Sequence, residues 1–239
     1  MNKLLTISLL LATFSLAACG TQPTPVASTT VESATVSESV SPATALSIST
    51  DAPAVQIYAD SLIYIREEEK LARDVYLFLY NQWGVQIFQN IASSEQAHTD
   101  AINTLLNAYG LADPAAYTEP GEFVNADLQA LYNQLTDQGS LSLAEALKVS
   151  AAIEEIDILD LQQHLAASLP DNIRFVYENL LSGSYNHLSA FISTLTRQSG
   201  EIYTPQYLSL EDYQSILDQA ARGDYGGGNG NGNGQGGRP

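Results

Sequence analysis

One cysteine, one methionine, one tryptophan and three histidines are all that the 239 residues hold of those four types. A lone Cys19 excludes an intrachain disulfide and any electron-transfer cluster built from cysteines. Basic residues are scarce as well: nine Lys and Arg stand against 27 Asp and Glu, for a formal net charge of -18. Phosphate backbones are bound by clusters of Lys and Arg, so nucleic acid is not an expected partner. Long apolar runs are missing too. The stretch 4–16 is too short to cross about 30 Å of hydrocarbon as a helix. What remains is 45% hydrophobic and 15% charged, enough for one domain of ordinary size with tails.

The N-terminus has a charged start at Lys3, a short apolar core and small residues before Cys19. This is the pattern of a secretory signal peptide. Leu16-Ala17-Ala18-Cys19 also resembles the lipobox of bacterial lipoproteins, in which the cysteine is lipidated and becomes the mature N-terminus. The expectation is a signal peptide over 1–18, lipidation at Cys19, a membrane partner reached through the lipid, and residence in a bacterial cell envelope on its periplasmic or extracellular face. A plain secreted protein cut near Ala18 is the alternative. Residues 19–54 are rich in Ser, Thr, Val, Ala and Pro without helical period and read as a disordered tether. Residues 223–239 alternate Gly and Asn and read as a disordered tail. The folded domain is expected over 55–222.

Within it, four long segments carry a helical period: 58–82, 86–109, a third reaching 167 from a capping-box pattern at Ser142-Leu143-Ala144-Glu145, and 172–197. Gly84 and Gly110 punctuate the first two. A connection over 111–141, broken by Pro114, Pro120 and Gly121, carries a short amphipathic helix near 126–137, and a last short helix falls near 210–221. The order of connections, short then long then short, predicts two antiparallel pairs joined by a crossover along the bundle. The fold class is therefore all-α, a four-helix bundle of the ferritin-like kind with one long crossover.

Every long helix has a polar residue in its apolar stripe. The first gives Leu62, Ile65, Glu69, Ala72, Tyr76, Leu79; the second Ile91, Glu95, His98, Ile102, Leu105; the third Leu147, Ala151, Glu154, Ile158, Leu161, with Asp157 one turn beyond Glu154; the fourth Tyr177, Leu180, Ser184, His187, Phe191. An ionised carboxylate costs several kcal/mol to bury without compensation, and no Lys or Arg shares these stripes. Three inward carboxylates call for a cation. With two imidazoles beside them, the donor set suits iron, manganese or zinc. His164 lies outside this set and receives no role, and Tyr76, Tyr109 and Tyr177 read as core aromatics.

Glu69-Lys70-Leu71-Ala72-Arg73-Asp74-Val75-Tyr76 and Ser94-Glu95-Gln96-Ala97-His98 resemble the first two helices of rubrerythrin-type di-iron proteins. The stretch from about 66 to 213 as a whole resembles a ferritin-like family of bacterial and archaeal proteins, that of the domain of unknown function 2202. The resemblance implies a di-metal carboxylate site with Glu69, Glu95, His98, Glu154 and His187 as ligands. Position 184 departs from the pattern, Ser standing where Glu is expected. Asp157 is the candidate replacement, with Glu68 and Glu155 in reserve, and a mononuclear site stays open beside the di-iron one.

Two functions follow as expectations. One is a metalloprotein that reacts bound iron with oxygen or peroxide, as ferroxidase or peroxidase, with its reductant supplied by a separate molecule. If the signal peptide is removed no methionine remains, which suits a site exposed to peroxide. The other is a non-catalytic module that buffers metal or presents helix faces to a partner.

Overall fold

A computed structural model describes residues 52–222, and all regular structure among them is helical. The expected signal peptide, Cys19, the tether as far as residue 51 and the tail from 223 lie outside the described residues. Six helices follow in order: α1 Ala52–Trp83, α2 Gln86–Ala108, α3 Ala126–Gly139, α4 Leu143–Leu165, α5 Asp171–Ser199 and α6 Leu210–Arg222. The bounds agree with the sequence reading except at the start of α1, which begins six residues ahead of Tyr58. Pro53 falls in the first turn, where a missing N–H costs no hydrogen bond.

Local chemistry sets the ends. Gly84 takes φ of 65° and its N–H bonds Tyr80 O at 2.8 Å. A side chain there would be strained, and the left-handed turn lets α2 start with only two residues between it and α1. Asn125 caps α3 by accepting from the backbone of Asp127 and Leu128, and Ser142 caps α4 by accepting from Glu145 N at 3.1 Å.

Apolar residues form two clusters at opposite ends of the bundle, and each long helix passes from one to the other. Helix α1 runs from Leu62 and Ile65 in one cluster to Tyr76 and Leu79 in the second; α5 runs the same way, from Ile173 and Tyr177 to Phe191 and Leu195. Helix α2, from Phe88 and Ile91 to Ile102 and Leu105, runs oppositely, and so does α4, from Leu147 and Ala151 to Leu161. The order is thus up, down, down, up. The most extensive packing joins α1 with α2 and α4 with α5, while α2 with α5 and α1 with α4 close the ring. Since α2 and α4 run in the same direction, the chain between them must travel the bundle's length. It does so with α3 laid against α1 and α4.

The crossover is fastened to α1 by charge. Lys70 Nζ donates to Asp74 at 2.7 Å and to the carbonyls of Glu119 and Glu122 at 2.9 and 3.0 Å, and Asp74 also accepts from Gly121 N. Glu67 accepts from Val124 N at 2.6 Å and Asn125 N at 3.0 Å. No helix among the described residues is long and apolar enough to cross a membrane.

Candidate metal centre

Between the two apolar clusters lies a polar layer. Glu69 comes from α1, Glu95 and His98 from one turn of α2, Glu154 and Asp157 from one turn of α4, and Ser184 and His187 from α5. The spacing of three keeps each pair on one helix face. Glu69, Glu95, Glu154 and Asp157 are all buried, and His187 is 8% exposed.

Two triads of donor atoms result, Glu69 with Glu95 and His98, and Glu95 with Glu154 and His187, each gathered within 4.8 Å. Glu95 belongs to both. Its Oε2 lies 2.7 Å from His98 Nδ1, which also meets Glu69 Oε2 at 3.0 Å. Its Oε1 lies 2.7 Å from His187 Nδ1, which is 3.6 Å from Glu154 Oε2. The two imidazoles stack with centroids 5.6 Å apart.

Neighbouring side chains hold these donors in place. Ser94 Oγ and His187 Nε2 are 3.0 Å apart, which turns Nδ1 inward. The Tyr76 hydroxyl donates to Glu154 Oε1 at 2.5 Å, and the Ser184 hydroxyl donates to Asp157 Oδ2. Gly183 makes the space for His98: a Cβ there would fall 2.7 Å from His98 Cε1 and 2.8 Å from Nε2. Such outer contacts fix the orientation of metal ligands.

The electrostatics are those of too much negative charge in a dry place. Burial pushes Glu69 up to about 7 despite His98, and raises Glu154 despite His187. Asp157 is raised well above the usual carboxylate range by burial and by Glu69 and Glu154. Burial also acts to raise Glu95, but His187 and His98 outweigh it and hold this carboxyl low. The imidazoles respond in kind: burial would lower them, yet Glu69 and Glu95 lift His98 to about 12, and Glu95 and Glu154 lift His187 to about 10. Without a metal, protons stand in for the missing positive charge.

The donor set fits a metal on a further observation. Glu69 Oε1 and Asp157 Oδ1 are buried without a hydrogen-bond partner. Orphaned polar atoms of this kind are rare in interiors. Two in one layer, among mixed oxygen and nitrogen donors, match the needs of a transition-metal ion.

The five residues expected as ligands are brought together. Asp157 borders the layer but stands in neither triad, one oxygen being taken by Ser184. Glu155, a reserve candidate, points elsewhere: its carboxylate accepts from the backbone N–H groups of Gln206, Tyr207 and Leu208 at 2.7 to 3.2 Å and anchors the chain between α5 and α6. Periodicity marked it as near the stripe but could not show which backbone it meets. His164 is half-buried, with its ring 6.1 Å from Tyr177 and 6.5 Å from Tyr64. Tyr177 shares a 2.6 Å hydrogen bond with Ser61, and the Tyr109 hydroxyl donates to Asn172. The stabilising contacts of Ser94 and Gly183 carry no signal in periodicity, and sequence reasoning missed both.

Comparison with other proteins defines the class. The profile of the uncharacterized protein domain DUF2202 matches residues 58–220, the whole helical bundle, and the chain belongs to that family. A member of known sequence is the uncharacterized protein MJ0754 of the archaeon Methanocaldococcus jannaschii, 48% identical over 161 residues that make up 67% of this chain and 86% of the relative. The crystal structure of that hypothetical protein superposes with a TM-score of 0.66 at 46% identity, covering 74% of this chain and 98% of its own. This relative corrects the expected location. A domain so similar in an archaeon overturns residence in a bacterial cell envelope, and the segment from which that location was read lies outside the described residues.

Proposed function

We propose that the chain is a di-metal carboxylate protein of ferritin-like type, holding two iron ions at the triads that share Glu95. The observation that carries this reading is the division of one buried carboxylate between two histidines, Oε2 beside His98 and Oε1 beside His187, each 2.7 Å away. A carboxylate so placed would have one oxygen to offer at each triad. The up-down-down-up helix order with one long crossover supports the same reading, since ferritin-like bundles carry such sites between facing helices. Asp157, with its free Oδ1, supplies the carboxylate that position 184 lacks.

Iron in an oxygen-rich site of this kind supplies redox chemistry toward oxygen or peroxide, and ferroxidase or peroxidase activity is the proposed use. The protein's own residues prepare the site. Ser94 and Gly183 set the two imidazoles, Tyr76 fixes Glu154, and Ser184 fixes Asp157. His98 and His187 would each offer Nδ1 to a metal, in place of the carboxylate contact that nitrogen makes in the metal-free protein. Anaerobic loading with ferrous iron followed by exposure to oxygen or peroxide tests the activity. Oxidation faster than that of free iron in the same buffer is expected, whereas two bound ions that stay ferrous would mark a metal buffer. Loading with manganese or zinc in preference to iron would reassign the cofactor.

A further inference from the structure

The three consecutive glutamates of α1 do different work. Glu67 fastens the crossover and Glu69 enters the metal layer, but Glu68 has no such occupation. It is 4% exposed, and its carboxylate oxygens meet no donor beyond a proton that can be shared with Asp160. The groups that act on it are acids: Asp160 most directly, then Asp157 and Glu69. On its other side is a small hollow lined by Leu71, Leu131, Ile153 and Ile156, which offers no donor. Asp160 is half-buried and accepts a 3.1 Å hydrogen bond from the Tyr64 hydroxyl. Carboxylates therefore run inward along the packed seam of α1 and α4, from Asp160 to Glu68 and then to Asp157, whose unpartnered Oδ1 borders the centre.

An ionised carboxylate in this position costs several kcal/mol, and no Lys or Arg among the described residues is beside it to offset that cost. A cation passing along the seam would. Hard divalent ions accept carboxylate oxygens as successive ligands. Among the described residues no group of three donors gathers at Glu68, so the seam has the means to pass an ion on but not to retain it.

We propose that Asp160, Glu68 and Asp157 form an entry route by which a divalent cation travels from the mouth of the α1–α4 seam to the metal centre. The inference rests on the metal-centre reading above. Charge-lined clefts raise on-rates by about 10-fold to 10³-fold, so loss of the middle carboxylate slows loading by at least ~10-fold.

The test uses the purified full chain, stripped of metal, mixed rapidly with cobalt(II) and followed by visible absorbance. Glu68→Gln is expected to load at least ~10-fold more slowly than the parent yet reach the same final cobalt content, and Glu68→Asp is expected to recover part of the rate. Asp160→Asn, at the half-buried mouth, slows loading without disturbing the core and keeps the test valid if Glu68→Gln does not fold. Parent-like rates in both Gln and Asn variants overturn the route. So does a lower final content at an unchanged rate, which would make Glu68 a ligand. A parent chain that takes up no cobalt overturns the metal-centre reading itself, an outcome distinct from these.

Discussion

Glu95 Oε1 and His187 Nδ1 lie 2.7 Å apart in the interior, an ion pair that joins α2 to α5. The same carboxylate turns its other oxygen to His98, so α2 and α5 are linked through Glu95 to both sides of the polar layer.

Removing Tyr76's hydroxyl separates holding a ligand from being one. Tyr76→Phe keeps the ring, which packs 5.0 Å from Phe191, and deletes the bond to Glu154 together with a long one of 3.4 Å to the Ser150 carbonyl. Affinity at the triad of Glu95, Glu154 and His187 should fall about 10-fold to 100-fold, the usual cost of an outer-shell deletion. Competitive titration against a chelator measures it, and an unchanged affinity would mean that Glu154 needs no such support.

Adding one methyl at Gly183 should act on the other triad. In Gly183→Ala the new Cβ meets the His98 ring at 2.7–2.8 Å, so the ring must shift away from Glu69 and Glu95. Overpacking of this kind costs about 1–3 kcal/mol of stability. Metal titration should show one of two sites weakened and the site at His187 retained. Two sites of parental affinity would show that His98 has room to spare.

The metal-free protein should lose stability as the solution becomes alkaline. His187 and His98 are raised from the ordinary 6.5 to about 10 and about 12. Between those limits the folded state holds more protons than the unfolded chain, so the stabilisation is complete below pH 6.5 and is lost as pH rises through about 10. Glu69, raised to about 7, acts in the same direction at lower pH. Thermal denaturation in chelator should give a midpoint that falls from pH 6.5 to 10. Metal loading at neutral pH should release protons, and calorimetry in buffers of different ionisation enthalpy reads the number.

How much of this was legible in sequence depends on the kind of signal. Helix ends were readable where the chain carries caps and stops, as at Ser142, Gly84 and Gly110, and the start of α1 was not, because Ala52, Pro53 and Ala54 continue the composition of the stretch before them. Glu69, Glu95, His98, Glu154 and His187 stood out because each interrupts an apolar stripe. Glu67, Glu68 and Glu155 could not be sorted by the same arithmetic. Their roles depend on which backbone or acid lies opposite, and only the tertiary fold brings Val124, Asp160 or Tyr207 to them. The location inferred from the N-terminus came from a short local pattern, and the archaeal relative overturned it.

Metal content of the full chain tests the central claim most directly. The protein is stripped with chelator, reloaded with ferrous iron without oxygen, freed of excess and analysed by mass spectrometry of the elements. Two ions per chain are predicted from the two triads, with both lost in Glu95→Ala because that residue serves each. Its helical content is checked by circular dichroism, since His98 and His187 lose the carboxylate they share. A parent chain that binds no metal, or a folded Glu95→Ala variant that retains two ions, would contradict the account.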